Sequence, residues 1–99
     1  MADAAVHVLP EGIGPEQYDA VNEKMNAQGD PPAGLRFHAA GRADDGRFRI
    51  IEVWDSRAQY DEFERDRLTP AIAEVSGQPA DQVPRADHTW FPVHAQFSE

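Results

Sequence analysis

Four histidines stand at positions 7, 38, 88 and 94 of this 99-residue chain, and Glu52 lies in the run Ile50-Ile51-Glu52-Val53-Trp54. An imidazole titrates near neutral pH. Beside a carboxylate it suits general acid-base work, taking a proton from a phenol or an activated carbon and returning it elsewhere. His38 with Glu52 is the expected proton-handling pair, because the strands that carry them are neighbours. Tyr60 joins them as a hydroxyl able to orient a substrate carbonyl, and Trp54 and Trp90 offer flat surfaces for an aromatic ring. His7 and His94 complete the set as substrate-binding groups. A plainer account stands beside each assignment: a buried histidine is often only a satisfied hydrogen-bonding group, a large aromatic in a small core is often only packing, and Tyr60 could simply anchor a helix to the sheet.

Three histidines and one glutamate could also hold zinc, iron or manganese. The spacing argues against it. No His-x-His or Glu-x-x-His pair occurs, each candidate sits on a different strand, and no metal or other cofactor is assigned.

Composition narrows the remaining classes. Eighteen acidic residues against nine basic ones leave a net charge of -9, which opposes both a phosphate-tracking nucleic-acid surface and an anionic membrane. With no cysteine, disulfides, thiolate metal sites and cysteine nucleophiles are all excluded. No stretch approaches the roughly 20 apolar residues of a membrane span, and the first residues lack a basic start followed by an apolar run. A cytoplasmic protein is expected, folded as one domain over residues 1–99, since two hydrophobic cores need a longer chain.

The elements that must position these residues follow from periodicity and punctuation. Ala4 to Leu9 alternates and reads as a strand ended by Pro10. Pro15, at a first helical position and followed by Glu16, opens a helix predicted over Pro15 to Gln28, with Gly29 as its stop. Asp30-Pro31-Pro32-Ala33-Gly34 is a loop, and Leu35, Phe37 and Ala39 mark a second strand. Asp45-Gly46 favours a hairpin into a third strand, Arg47 to Trp54. Ser56 caps a second helix, with Gln59 placed to return the bond. The apolar stripe Tyr60, Phe63, Leu68, Ala71, Ile72, Val75 is broken at Thr69-Pro70, where the helix should kink or restart, and Gly77 ends it. Gln78 to Asp87 is a loop, and His88 to Phe97 alternates as a last strand.

The order strand, helix, strand, strand, helix, strand is the α+β, ferredoxin-like split βαβ arrangement (β-α-β-β-α-β): an antiparallel sheet with two helices on one face. Sorting strand residues by parity separates a nearly pure apolar set (Val6, Val8, Leu35, Phe37, Ala39, Ile51, Val53, Phe91, Val93, Ala95, Phe97) from a mixed one (His7, Leu9, His38, Phe48, Ile50, Glu52, Trp54, His88, Trp90, His94, Gln96). Helices can cover only one face, so the other is expected to be buried in a second copy of the chain. Either the mixed face looks toward the helices and surrounds a ligand cavity, or it lies at the seam, where its histidines bond across subunits.

The run Arg49-Ile50-Ile51-Glu52-Val53-Trp54-Asp55-Ser56, then Tyr60, Phe63 and Arg67-Leu68-Thr69-Pro70-Ala71, resembles the strand-to-helix joint of the antibiotic biosynthesis monooxygenase-like, dimeric α/β-barrel superfamily. The resemblance implies a homodimeric α/β barrel joined through its sheets, with a pocket between each sheet and its helices. It also implies activities from cofactor-free oxygenation of aromatic polyketides to haem degradation, isomerisation and cyclisation. Trp54 and Tyr60 match pocket positions of the aromatic-oxidising branch, and Glu52 matches a glutamate common on this strand. Ile50 stands where that branch has an asparagine. Ala71-Ile72-Ala73-Glu74 lacks the helical histidine of the haem-degrading branch. The expected function is small-molecule binding with cofactor-independent oxygenation of an aromatic or polyketide-like substrate. The alternatives are a proton-transfer cyclase or isomerase of the same fold, or a non-catalytic dimer that binds a ligand or partner.

Overall fold

A computed structural model describes residues 2–83 and 86–97. Strand β1 (Asp3–Val8) leads to helix α1 (Pro15–Met25), followed by strands β2 (Leu35–Arg42) and β3 (Phe48–Trp54). Helix α2 (Arg57–Phe63) passes through a π turn (Glu64–Leu68) into α3 (Thr69–Ser76), and a 3-10 turn (Ala80–Gln82) precedes strand β4 (Asp87–Pro92). The sheet order is β2-β3-β1-β4, with every neighbouring pair antiparallel. β3 therefore lies between β1 and β2, the split βαβ arrangement expected from the element order.

Most boundaries follow local chemistry. Pro15 begins α1, and the Gly14 N–H donates to Gln17 Oε1 at 3.0 Å. The helix stops at Asn26, which takes the left-handed conformation (φ 54°), three residues before the expected Gly29. Asparagine tolerates this conformation better than other non-glycine residues and serves as a helix stop. Ser56 Oγ accepts from the Gln59 N–H as expected, whereas the Gln59 side chain accepts from the Ser56 hydroxyl rather than from its backbone. Between β2 and β3 the positive φ falls on Gly46 (85°).

The expected interruption at Thr69-Pro70 takes the form of the π turn. Pro70 has no N–H to donate, and one residue earlier the Thr69 N–H reaches back five residues to the Glu64 carbonyl. The wide turn accommodates this break in the ladder, and Pro70 falls at the start of α3, which continues from the π turn with Leu68 still in helical conformation.

Two strand assignments need correction. β4 ends at Pro92, so Val93, His94, Ala95, Gln96 and Phe97 lie beyond it rather than on a strand. Pro92 cannot donate to a ladder, and the chain makes one further bond, from the Val93 N–H to the Ala2 carbonyl, before it leaves the sheet. In β2 an irregularity between Leu35 and Phe37 places Leu35 opposite Trp54 but Phe37 opposite Val53. The extra residue, Arg36, moves Leu35 from the apolar set to the mixed face.

The mixed face looks toward the helices. Glu52 and His7 are buried in it among Ala5, Phe48, Trp54 and Tyr60. The apolar face lies outside, with Phe37, Ile51 and Phe91 exposed to 49, 48 and 49%. Helix α1 buries none of its own residues and packs chiefly on α3, leaving a cavity between itself and the sheet.

Candidate functional site

The cavity has a volume of about 970 Å³ and is walled by α1, the inner face of the sheet, the α2-α3 helix and the loop before β4. Its floor is made by three strands. Glu52 on β3 stands directly opposite His38 on β2 and Ala5 on β1, and His7 lies two residues along β1, on the same face. The Ala5 methyl is too short to cover the carboxylate, which reaches both imidazoles. Oε1 is 2.7 Å from His7 Nε2, and Oε2 is 3.0 Å from His38 Nδ1. Burial on its own would raise Glu52, but the hydrogen bonds from His38 and His7 outweigh it and hold the carboxyl down to about 2. An ionised carboxylate only accepts, so each histidine presents an N–H to it.

The far nitrogen of His38, Nε2, meets the hydroxyl of Tyr18, whose ring stacks on the imidazole at a centroid distance of 5.8 Å. The far side of His7 stacks on Tyr60 at 5.2 Å and meets the edges of His88 and Trp90 at 5.6 and 6.1 Å. The Tyr60 hydroxyl donates to Glu64 Oε2 at 3.0 Å. Burial, with Glu64 adding to it, pushes that phenol far above its usual range, so it stays a donor.

The residues singled out from sequence fall into three groups. His7, His38, Glu52 and Tyr60 converge on the cavity wall. Trp54 and Trp90 stand behind it: Trp54 is wholly buried against Tyr60 and Phe63, each at 5.5 Å, and Trp90 packs on Tyr60 at 5.1 Å under the Arg57 guanidinium. Both indole N–H groups are buried without a hydrogen-bond partner, a desolvation cost set against the aromatic packing. His94, beyond the end of β4, is exposed and away from the cavity, because its assignment depended on a strand that stops at Pro92.

Tyr18, Asn22, Glu64 and His88 also line the cavity and were not chosen as site residues. The available signal was thin: Tyr18 lies on the inward stripe of α1 with Val21 and Met25, where an aromatic ring reads as core. Among the described residues no group of three or more His, Asp and Glu side chains is disposed to hold a metal ion. The two imidazoles take opposite oxygens of Glu52 instead of pointing at a common centre.

Comparison with protein-family models finds no match, and comparison with curated proteins finds none. Solved structures do match over nearly the whole chain. A candidate antibiotic biosynthesis monooxygenase from Chloroflexus aurantiacus superposes with a TM-score of 0.62 at 17% identity, covering 98% of both chains. SnoaB, a cofactor-independent oxygenase from Streptomyces nogalater, gives 0.57 at 15% identity, over 99% of this chain and 95% of that one. The haem degrader MhuD from Mycobacterium tuberculosis, with two haems in its active site, gives 0.58 at 20% identity, over 99% and 100%. At these identities the likeness is one of fold. The chain has the fold of the antibiotic biosynthesis monooxygenase-like proteins.

Proposed function

We propose that the protein binds a small aromatic or polyketide-like molecule in the cavity between sheet and helices and oxygenates it without a cofactor. The observation that carries this reading is Glu52, an ionised carboxylate on the cavity floor bridging His7 and His38. Such a group stabilises an imidazolium on either side, as the buried carboxylate of a hydrolase triad does for its histidine. His38 with Glu52 draws a proton from the substrate's phenol or activated carbon. The resulting anion is electron-rich enough to reduce dioxygen itself: a methylene carbon becomes a carbonyl, one oxygen atom enters the product and the other leaves as water. The likeness to SnoaB supports the oxygenase side of this reading.

A second reading, a proton-transfer cyclase or isomerase, draws on the same pair of imidazoles. Both line one cavity, so a proton taken at one end can be returned at the other. Oxygen uptake during turnover separates the two readings. The segment Ala71–Glu74 carries no imidazole, so the helical haem ligand of the haem-degrading branch has no counterpart there.

The working unit is proposed to be a homodimer joined through the outer sheet face, whose Phe37, Ile51 and Phe91 leave an apolar surface against water. Among the described residues no helix is long and apolar enough to cross a membrane. A cytoplasmic location is proposed with this reading. The deciding experiment is His38→Ala: loss of turnover with ligand affinity retained supports the enzyme, whereas a loss of dimer stability alone supports a purely structural histidine.

A further inference from the structure

Tyr18, His38, Glu52 and His7 form one continuous hydrogen-bonded chain, and all four line the cavity. The carboxylate sets the direction of its bonds. Because Glu52 accepts only, His38 donates to it through Nδ1, which leaves the lone pair on Nε2 to accept from the Tyr18 hydroxyl. A hydroxyl that gives its single proton to an imidazole still has lone pairs with which to take one. Burial raises the Tyr18 phenol above its usual range and keeps it protonated at rest, with the Asn22 side chain, also on the cavity wall, acting in the opposite direction.

We infer that Tyr18 is the substrate-facing end of this chain, a catalytic residue that takes the proton of an uncharged phenol or enol bound in the cavity. As the substrate O–H proton reaches the Tyr18 oxygen, the proton of Tyr18 passes to His38 Nε2. The products are a substrate phenolate or enolate, an intact tyrosine and an imidazolium paired with Glu52. No electrons are transferred in the step, and its reverse returns the proton.

The other cavity tyrosine cannot play this part, since the Tyr60 hydroxyl is bonded to Glu64 and not to an imidazole. The uncharged substrate class follows from the wall itself, which holds Asp19, Glu23, Glu52 and Glu64 and, among the described residues, no arginine or lysine: a ligand enters neutral and becomes an anion only as His38 becomes the balancing imidazolium. The inference rests on the small-molecule reading above and specifies which side chain meets the substrate.

The test uses the full chain and 4-nitrophenol, whose neutral and ionised forms absorb at different wavelengths. At about pH 6.5, near the ordinary imidazole pKa, the free compound is mostly neutral, and the wild type is expected to bind it and to show the nitrophenolate band. Tyr18→Phe keeps the stacked ring and is expected to bind within about threefold of the wild type while the bound ligand stays neutral. Melting curves establish that the variant is folded, and should it not be, His38→Gln breaks the chain one link further on and must give the same loss of ionisation. A nitrophenolate band that persists in Tyr18→Phe, or a wild type that binds the compound without ionising it, overturns the inference and leaves the small-molecule reading standing. A wild type that binds no hydroxyarene overturns both.

Discussion

Glu52 Oε2 lies 3.0 Å from His38 Nδ1, across a directly opposed pair of residues on neighbouring antiparallel strands, while its other oxygen holds His7 at 2.7 Å. One buried carboxylate thus orients two imidazoles toward one cavity. Replacing it with a neutral isostere removes the charge that stabilises either imidazolium and leaves the shape nearly unchanged. Glu52→Gln is therefore expected to lower kcat by about 100-fold or more with little change in ligand affinity. A fall in affinity without a fall in kcat would contradict the assigned role.

The same carboxylate makes a prediction about acid stability. Its pKa is depressed from 4.5 to about 2, so the native state gains stability from its ionisation above pH 4.5 and loses it as pH falls through about 2. The depression corresponds to a contribution on the order of 3 kcal/mol. Melting temperature measured from pH 5 down to pH 2 should fall more steeply for the wild type than for Glu52→Gln, the two curves converging at the acid end. Parallel curves would show that Glu52 is not held ionised by its partners.

The Tyr60 hydroxyl donates to Glu64, one turn further along the same helical stretch. Tyr60→Phe removes the donor to Glu64 while keeping the ring stacked on His7 and edge-on to Trp54. The expected result is a loss of about 1 kcal/mol in unfolding free energy with ligand affinity unchanged. A selective loss of affinity for carbonyl-bearing ligands would restore the substrate-orienting role.

The outer sheet face should hold two copies together. Ile51 lies in its centre on β3, between Val6 of β1 and Ala39 of β2, and is half exposed in the single chain. Ile51→Arg would bury an unpaired charge in any interface formed there. Light scattering is expected to give about 22 kDa for the wild type, twice the 11.0 kDa chain, and the single-chain mass for the variant. A wild type that is monomeric at all concentrations would rule out the dimer.

Charge on the cavity wall predicts ligand selectivity. Because Asp19, Glu23, Glu52 and Glu64 are among the lining residues, 1-naphthol should bind at least about tenfold more tightly than 1-naphthoate. Equal affinities in calorimetry would contradict this electrostatic account.

The order of elements, the strand parity apart from Leu35, and the helix boundaries at Pro15, Ser56 and Gly77 were legible in the sequence because they depend on short-range chemistry, whereas the stop of α1 fell at Asn26 and not at Gly29. Pro15, Ser56, Gly77 and the alternation around Ile51 each act within a few residues of themselves. His38 and Glu52 could be paired from sequence as well, since a short hairpin forces their strands to be neighbours. What depended on distant contacts stayed hidden. Which face the helices cover, the bulge that turns Leu35 inward, the end of β4 at Pro92 and the meeting of Tyr18 with His38 are all decided by how separate elements pack. A residue on α1 reaches one on β2 only after the loop between them closes and α3 sets the height of α1 above the sheet. That height is a balance of packing over the whole domain, and no local pattern encodes it.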